Sequence, residues 1–496
     1  MKKLFAVLML FVFLLVLPAS AQDACVRDSI FPDAGNCGYD VQDYQMNMAW
    51  DKEGDHWTVS EVITFISEWD TDELWFDFTD TYEITSLSID GQEAEYDRQG
   101  TKLIVHHNFA HDTEYKLNAV FSGKLLWGEL FDPEGTGRTP DEGFCMLNEP
   151  TNAWRFYICN DHPKDKATYH YSFTVPASFV PAGSGDLLKI EEATGTVIFP
   201  GKSFERDYDP GTNEGTVTFT YALETQTAPY LFTVCAGAFD LKLQTFDTGR
   251  VQLDFVDINH KDASHAWELT GLQEEIIASL EPFFGKYPYT NSGAIVFHTE
   301  MGAALETLGR SLYDASTTED FVFAHEITHQ WMGDLISLED WSDLWIKEGA
   351  ATFGELLWAE HKDGRKAYED EVILNYKTVV SHGSSGPKEI HSNQPDDLYS
   401  AGPYKGGSLV YHILRDRLGD EVFSKALQTL IEENKYGTVN EEKFIEVFSR
   451  VSGEDLTDLI KSFLYYGENG HVPDLPGLIT YEEAMKEYEE STKKEV

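Results

Sequence analysis

Apolar and polar residues alternate in short runs from residue 38 to about 245. The segments WTVSEVITFISEW (57–69), ITSLSIDGQEAEY (84–96), TKLIVHH (101–107) and GTVTFTYALE (215–224) are rich in Val, Ile, Thr and aromatic residues. A period of two with that composition predicts half-buried strands, and Asp90-Gly91 marks a tight hairpin turn. A mostly antiparallel β domain is therefore expected over 22–245. Near residue 260 the period lengthens. In ASHAWELTGLQEEIIASLEPFFG, Leu269, Leu272, Ile276 and Leu280 step by three, four and four, the spacing of one helix face. Gly271 is the weak point of that pattern. Helical patterns then run to the end, interrupted by one apolar strand, GAIVFHT (293–299). The expected fold class is α+β and multidomain, with a mostly helical unit over 246–475 and a charged helix or tail over 476–496.

The first residues depart from both patterns. Lys2 and Lys3 precede an apolar run from Leu4 to Leu17, followed by Ala19-Ser20-Ala21. That run is short of the ~20 residues a bilayer span needs, and the arrangement reads as a secretory leader over 1–21. The expectation is a secreted or periplasmic chain with no membrane insertion after cleavage. The formal net charge of −49 disfavours nucleic acid and anionic membranes as partners. Disorder does not fit, because 42% hydrophobic and 13% aromatic residues are ample for packed cores. An exported chain permits disulfides, and Cys25 with Cys37 is the expected pair. Cys235, within the apolar run PYLFTVCAGAF, reads as a buried core thiol. No cysteine follows residue 235, so the helical half can use neither thiolate catalysis nor a cysteine-rich zinc site.

That half carries FVFAHEITHQWMGD (321–334). Ser316 and Glu319 give a capping-box signal for a helix that ends near Gly333. On a helix, His325 and His329 share a face and can close on one metal ion. Glu326 lies about 100° round the helix, beside the ion and within reach of a water activated by it. Imidazole suits Zn²⁺, which in catalytic sites takes a third protein ligand and keeps one open position. Glu348 supplies a candidate third ligand from a second helical segment, DLWIKEGAATFGELLWAEH. Glu355, two turns further on, is either a partner behind a ligand or an ordinary surface glutamate.

With these motifs the chain resembles the zinc aminopeptidases related to aminopeptidase N and the leukotriene-hydrolysing enzymes, the gluzincins. The zinc segment HEITHQWMGDLISLEDWSDLWIKEGAATF carries the resemblance most strongly. NEPTNAWRFYICNDHPKDKATYHYSFTVP (148–176), APYLFTVCAGAFD (228–240), MGAALETLGRSLYD (301–314), GPYKGGSLVYHILR (402–415) and FLYYGENGHVPDL (463–475) support it in the family's order. The resemblance implies a saddle-like β domain packed on a thermolysin-like catalytic domain, with one Zn²⁺ per chain held by His325, His329 and Glu348. It implies Glu326 as general base and Tyr404 as hydrogen-bond donor to the oxyanion. Glu306, with Glu149 of the β domain, would grip a peptide's free α-ammonium, and backbone around Gly302 and Ala303 would line the substrate. Leu305 and Thr307 stand where the family has Met and Asn beside that glutamate. The implied function is an exported aminopeptidase acting on peptides with a free N-terminus. A zinc endopeptidase or other zinc hydrolase of the same fold, or a catalytically silent peptide-binding relative, is the alternative.

Overall fold

A computed structural model describes residues 27–126, 140–208, 214–299, 302–382, 389–466 and 470–492. The leader expected over 1–21 lies outside them. The β half is built on a nine-stranded sheet. Its order is Val197–Ile198, Asp186–Glu191, Thr216–Thr227, Ala167–Pro176, Tyr39–Asp51, His56–Ser67, Thr113–Lys124, Glu83–Ile89 and Gln92–Glu93. Neighbouring strands are antiparallel except Tyr39–Asp51 with Ala167–Pro176, which run parallel. The alternation read from sequence becomes burial: along His56–Ser67, Trp57, Val59, Ile63 and Phe65 are fully buried and Ser60 is exposed. Asp90 (φ 50°) and Gly91 (φ 77°) make the expected hairpin. Both residues take positive φ, as a two-residue turn of this hand requires.

The second unit opens on a seven-stranded sheet with Ser203–Arg206, Phe239–Thr245, Val251–Asp257, Ala294–Val296, Ser311–Tyr313 and Ala304–Leu305 in order, and Asn291–Ser292 beside Val251–Asp257. Hydrogen bonding between Phe239–Thr245 and Val251–Asp257 is continuous across residue 245. The helices follow: α1 (Ala263–Thr270), α2 (Gln273–Phe284), α3 (Asp320–His329), α4 (Trp345–Asp363), α5 (Arg365–His382), α6 (Gly407–Asn434), α7 (Glu441–Ser452), α8 (Thr457–Leu464) and α9 (Tyr481–Thr492). The face Leu269–Leu272–Ile276–Leu280, expected on one helix, is carried by two. Gly271 closes α1, because a residue without a side chain holds a helix interior poorly. The charged segment at the C-terminal end is helical and docks through buried Ala484 and the Lys377–Glu487 ion pair at 2.6 Å.

Buried polar ties join the two units. Arg310 donates to the carbonyls of Gly183, Gly185 (3.0 Å) and Leu253 (2.8 Å). Lys166 Nζ donates to the carbonyls of Asp334 (3.0 Å) and Leu335 (3.2 Å), and Tyr230 Oη to that of Gly333 (3.1 Å). Opening the interface would leave the groups bonded across it unpaired at about 1–3 kcal/mol each. Cys235 differs from its expected role as a free thiol. Its strand Val234–Gly237 pairs with Phe144–Cys145 so that Cys235 faces Cys145, and the two are disulfide-bonded. Cys159 is a buried free thiol. Cys37 is disulfide-bonded, and its expected partner, Cys25, lies outside the described residues. No helix among the described residues is long and apolar enough to cross a membrane.

Candidate active site

The metal motif sits on α3. The helix starts at Asp320, after the expected cap at Ser316, because Ser316 is used elsewhere. Its N–H and Oγ both donate to Asp314 Oδ1 at 2.7 Å, and Asp314 also accepts from Thr317 N. Glycines decide how closely the neighbouring helix approaches. An added Cβ at Gly354 of α4 would lie 1.9 Å from Thr328 Oγ1 of α3, and one at Gly349 would lie 2.6 Å from the Gly407 carbonyl carbon. These contacts bring α3, the first turns of α4 and the start of α6 together nearly backbone to backbone.

As a result His325, His329 and Glu348 each offer a donor atom, all within 4.8 Å of one another. His325 Nε2 and His329 Nε2 lie 3.2 and 3.4 Å from Glu348 Oε2. The other ring nitrogens are engaged behind the site. His329 Nδ1 donates to the Met332 carbonyl at 3.0 Å, and His325 Nδ1 meets Glu355 Oε1 at 2.8 Å. A carbonyl only accepts, so Nδ1 of His329 carries the proton and Nε2 presents its lone pair inward. Glu355 is in turn held by Lys405 Nζ at 2.9 Å, so it stands behind His325 in the position of a partner that orients a ligand. Two imidazoles and one carboxylate at this spacing, open to a cavity on one side, fit Zn²⁺ in a site with a free position.

The cavity, about 530 Å³, is lined by these three residues and by Glu326, Glu306, Glu149, Tyr404, Gly302 and Ala303, so every expected site residue meets there. Leu147, Leu305 and Val322 give it apolar wall. Glu326 is 5% exposed, and its Oε2 has no hydrogen-bond partner. Burial pushes its carboxyl well above the usual range, opposed by His325 and reinforced by the Glu306 and Glu348 charges. Tyr404 lies on a π-helical turn, Gly402–Gly406, its ring stacked 5.9 Å from that of His325. Burial and then the Glu348 charge raise its phenol well above its ordinary value, so it remains an O–H donor. The amides of Gly302 and Ala303 are already committed. Both donate to Asp314 Oδ2, the second at 3.3 Å, so these residues line the cavity without free N–H groups.

Glu306 follows the edge strand Ala304–Leu305, and Gln330, which caps the end of α3, fixes that loop by bonding the Glu306 carbonyl (3.2 Å) and the Gly309 N–H (2.7 Å). Glu149 reaches the cavity from the β domain, where Asn148 Nδ2 donates to the Phe232 carbonyl at 2.7 Å. Between them stands a residue that sequence reasoning passed over, Lys347. Its Nζ lies 2.7 Å from Glu149 Oε1, 2.7 Å from Glu306 Oε1 and 2.6 Å from Glu348 Oε1. A lysine beside Glu348 in the helical run WIKEGAA was the available signal, since lysine is almost never buried unpaired. For Glu306 and Glu348, burial raises the carboxyl, but the Lys347 ammonium and His329 together outweigh it and hold both below the usual range. Burial and the Glu306 charge push Glu149 up to about 8 against the pull of Lys347.

This architecture is a two-domain fold already seen among solved zinc metallopeptidases. The structure superposes on an M1 zinc metallopeptidase from Deinococcus radiodurans with a TM-score of 0.74 at 23% identity, covering 91% of this chain and 98% of that one. Residues 267–463 match the peptidase family M1 domain. Among curated relatives, aminopeptidase M1-A of Oryza sativa subsp. japonica is 26% identical over 337 residues, 64% of this chain and 36% of that protein. Glutamyl aminopeptidase of Rattus norvegicus is 24% identical over 379 residues, 71% of this chain and 38% of its own length. The chain thus spans a little over a third of the length of these two relatives.

Proposed function

We propose that this chain is an exported zinc aminopeptidase that removes N-terminal residues from peptides. One observation carries the reading: the His325–His329–Glu348 donor set, the Glu326 carboxylate and the Glu149–Glu306 pair open into one cavity. Zinc held by the three ligands would supply Lewis acidity, polarising the scissile carbonyl and acidifying water. Glu326, whose Oε2 is free to accept, takes the proton from the attacking water and returns it to the leaving amine. Tyr404, neutral and buried, donates to the oxyanion as charge develops there. The Glu149 and Glu306 carboxylates set the register by receiving the α-ammonium, which fixes the first peptide bond at the reacting centre. The apolar wall formed by Leu147, Leu305 and Val322 favours an apolar first side chain. A variant of the Deinococcus enzyme has been crystallised with the peptide Tyr-Ser-Ala, which supports a short peptide as the occupant. The leader pattern over 1–21 and the Cys145–Cys235 disulfide support export to an oxidising compartment.

The test is hydrolysis of aminoacyl-4-nitroanilides beside their N-acetylated forms, with and without a zinc chelator. Cleavage that requires the metal and favours the free amine supports the reading. Cleavage of the blocked substrates alone makes the chain an endopeptidase.

A further inference from the structure

The seat proposed for the substrate's ammonium already holds a cation. Lys347 Nζ donates to Glu306 Oε1 (2.7 Å) and Glu348 Oε1 (2.6 Å) and lies 2.7 Å from Glu149 Oε1. The side chain is 1% exposed, and the Tyr230 ring lies 5.7 Å from Nζ. Lys347 is therefore ion-paired with all three carboxylates at once. It also cannot swing away without leaving buried carboxylates unpaired, which is costly. Glu149 and Glu306 still border the cavity, so an arriving ammonium has to share both with Lys347. A like charge on the same acceptors weakens the binding of a second cation.

We propose that Lys347 is a specificity-determining residue, an internal substitute for the substrate's α-ammonium that lowers the protein's dependence on a free N-terminus. The proposal rests on the aminopeptidase reading above and sharpens it. With Lys347 in place, Glu149 and Glu306 are held apart from mutual repulsion whether or not substrate is bound. The penalty for a substrate lacking the ammonium is correspondingly reduced.

The experiment compares the zinc-loaded full chain with Lys347→Asn and Lys347→Arg. L-leucine 4-nitroanilide and its N-acetyl form are the substrates, and binding of L-leucinamide to the zinc-free proteins is measured by calorimetry. In Lys347→Asn, KM for the free-amine substrate should fall about tenfold or more with a smaller change in kcat, and L-leucinamide should bind correspondingly tighter. Lys347→Arg keeps the charge and should not tighten either value. A folded Lys347→Asn protein with unchanged or raised KM and Kd would overturn the proposal and leave Lys347 a counter-ion only. The wild-type chain gives an answer that does not depend on any variant folding. Its affinities for L-leucinamide and for 4-methylpentanamide, the same molecule without the amine, should lie within about tenfold. A preference of a hundredfold or more for the amine overturns the proposal. Turnover of acetylated substrates alone would instead refute the aminopeptidase reading, and the leucinamide comparison would still decide the role of Lys347.

Discussion

Replacing Gly354 with alanine tests whether the closeness of α3 and α4 sets the metal site. The new Cβ would lie 1.9 Å from Thr328 Oγ1, 2.9 Å from its Cβ and 3.2 Å from its Cγ2. Rotating Thr328 cannot clear the contact, because its own Cβ is fixed by the backbone. Carbon atoms pack at roughly 3.5–4.0 Å, so the helices must part locally by about half an ångström or more. His325 and His329 flank Thr328 on α3, while Glu348 and Glu355 flank Gly354 on α4. The displacement therefore falls on the ligand set, where zinc distances tolerate about ±0.2 Å. Overpacking of this kind costs about 1–3 kcal/mol of stability. Zinc affinity should fall roughly 10–100-fold, the range produced when the support of a ligand is disturbed. The assay is competition for zinc with a chromophoric chelator, beside thermal unfolding with and without the metal. Adding Thr328→Ala removes Oγ1 and Cγ2 but not Cβ, so it should restore part of the loss, with a coupling above about 0.5 kcal/mol. An unchanged zinc affinity and an unchanged unfolding midpoint in Gly354→Ala would refute the argument.

Three further outcomes are expected. Without metal, burial lowers His325 but Glu348 and Glu355 outweigh it, raising the imidazole to about 10. Zinc binding must then displace a proton, so apparent affinity should rise about tenfold per pH unit between roughly pH 6 and 9. Calorimetry in buffers of different ionisation heat should show about one proton released, and a pH-independent affinity would contradict this. Asp343 is raised from 3.8 to about 7 by burial, then by Glu441, Asp340 and Glu339, against the Glu441 N–H. Its stabilising contribution is complete below pH 3.8 and is lost as pH rises through about 7. Asp343→Asn should therefore raise the unfolding midpoint at pH 8 by an amount equivalent to about 2–4 kcal/mol and do little at pH 4; equal effects at both pH values would rule this out. The Cys145–Cys235 bond closes a loop across a sequence separation of 90. In the chain-entropy account, replacing both cysteines with alanine should cost roughly 4–5 kcal/mol, measured by denaturant unfolding; a loss below about 1 kcal/mol would count against that account.

Features that depend on contacts a few residues apart could be read along the chain. His325 and His329 share a helix face because the helix repeats every 3.6 residues. Asp90-Gly91 turns a hairpin because two positive φ angles suit those residues. Alternation along residues 57–69 marks the buried side of a strand for the same local reason. Glu348 was legible as a third ligand because its own segment is helical, but its meeting with the histidines belongs to packing. The absence of a side chain at Gly354 and Gly349 lets α4 come that close to α3 and α6. The pairing of Cys235 with Cys145 is a register between strands far apart in the chain, and no periodicity reports a register of that kind. The same limit hid Lys347. A buried ammonium is tolerable only where opposite charges surround it. Those charges come from the β domain, from an edge strand and from its own helix neighbour, groups that only the folded chain brings within 2.7 Å. Local chemistry thus marked the candidate zinc ligands, while packing set what an arriving substrate meets beside them.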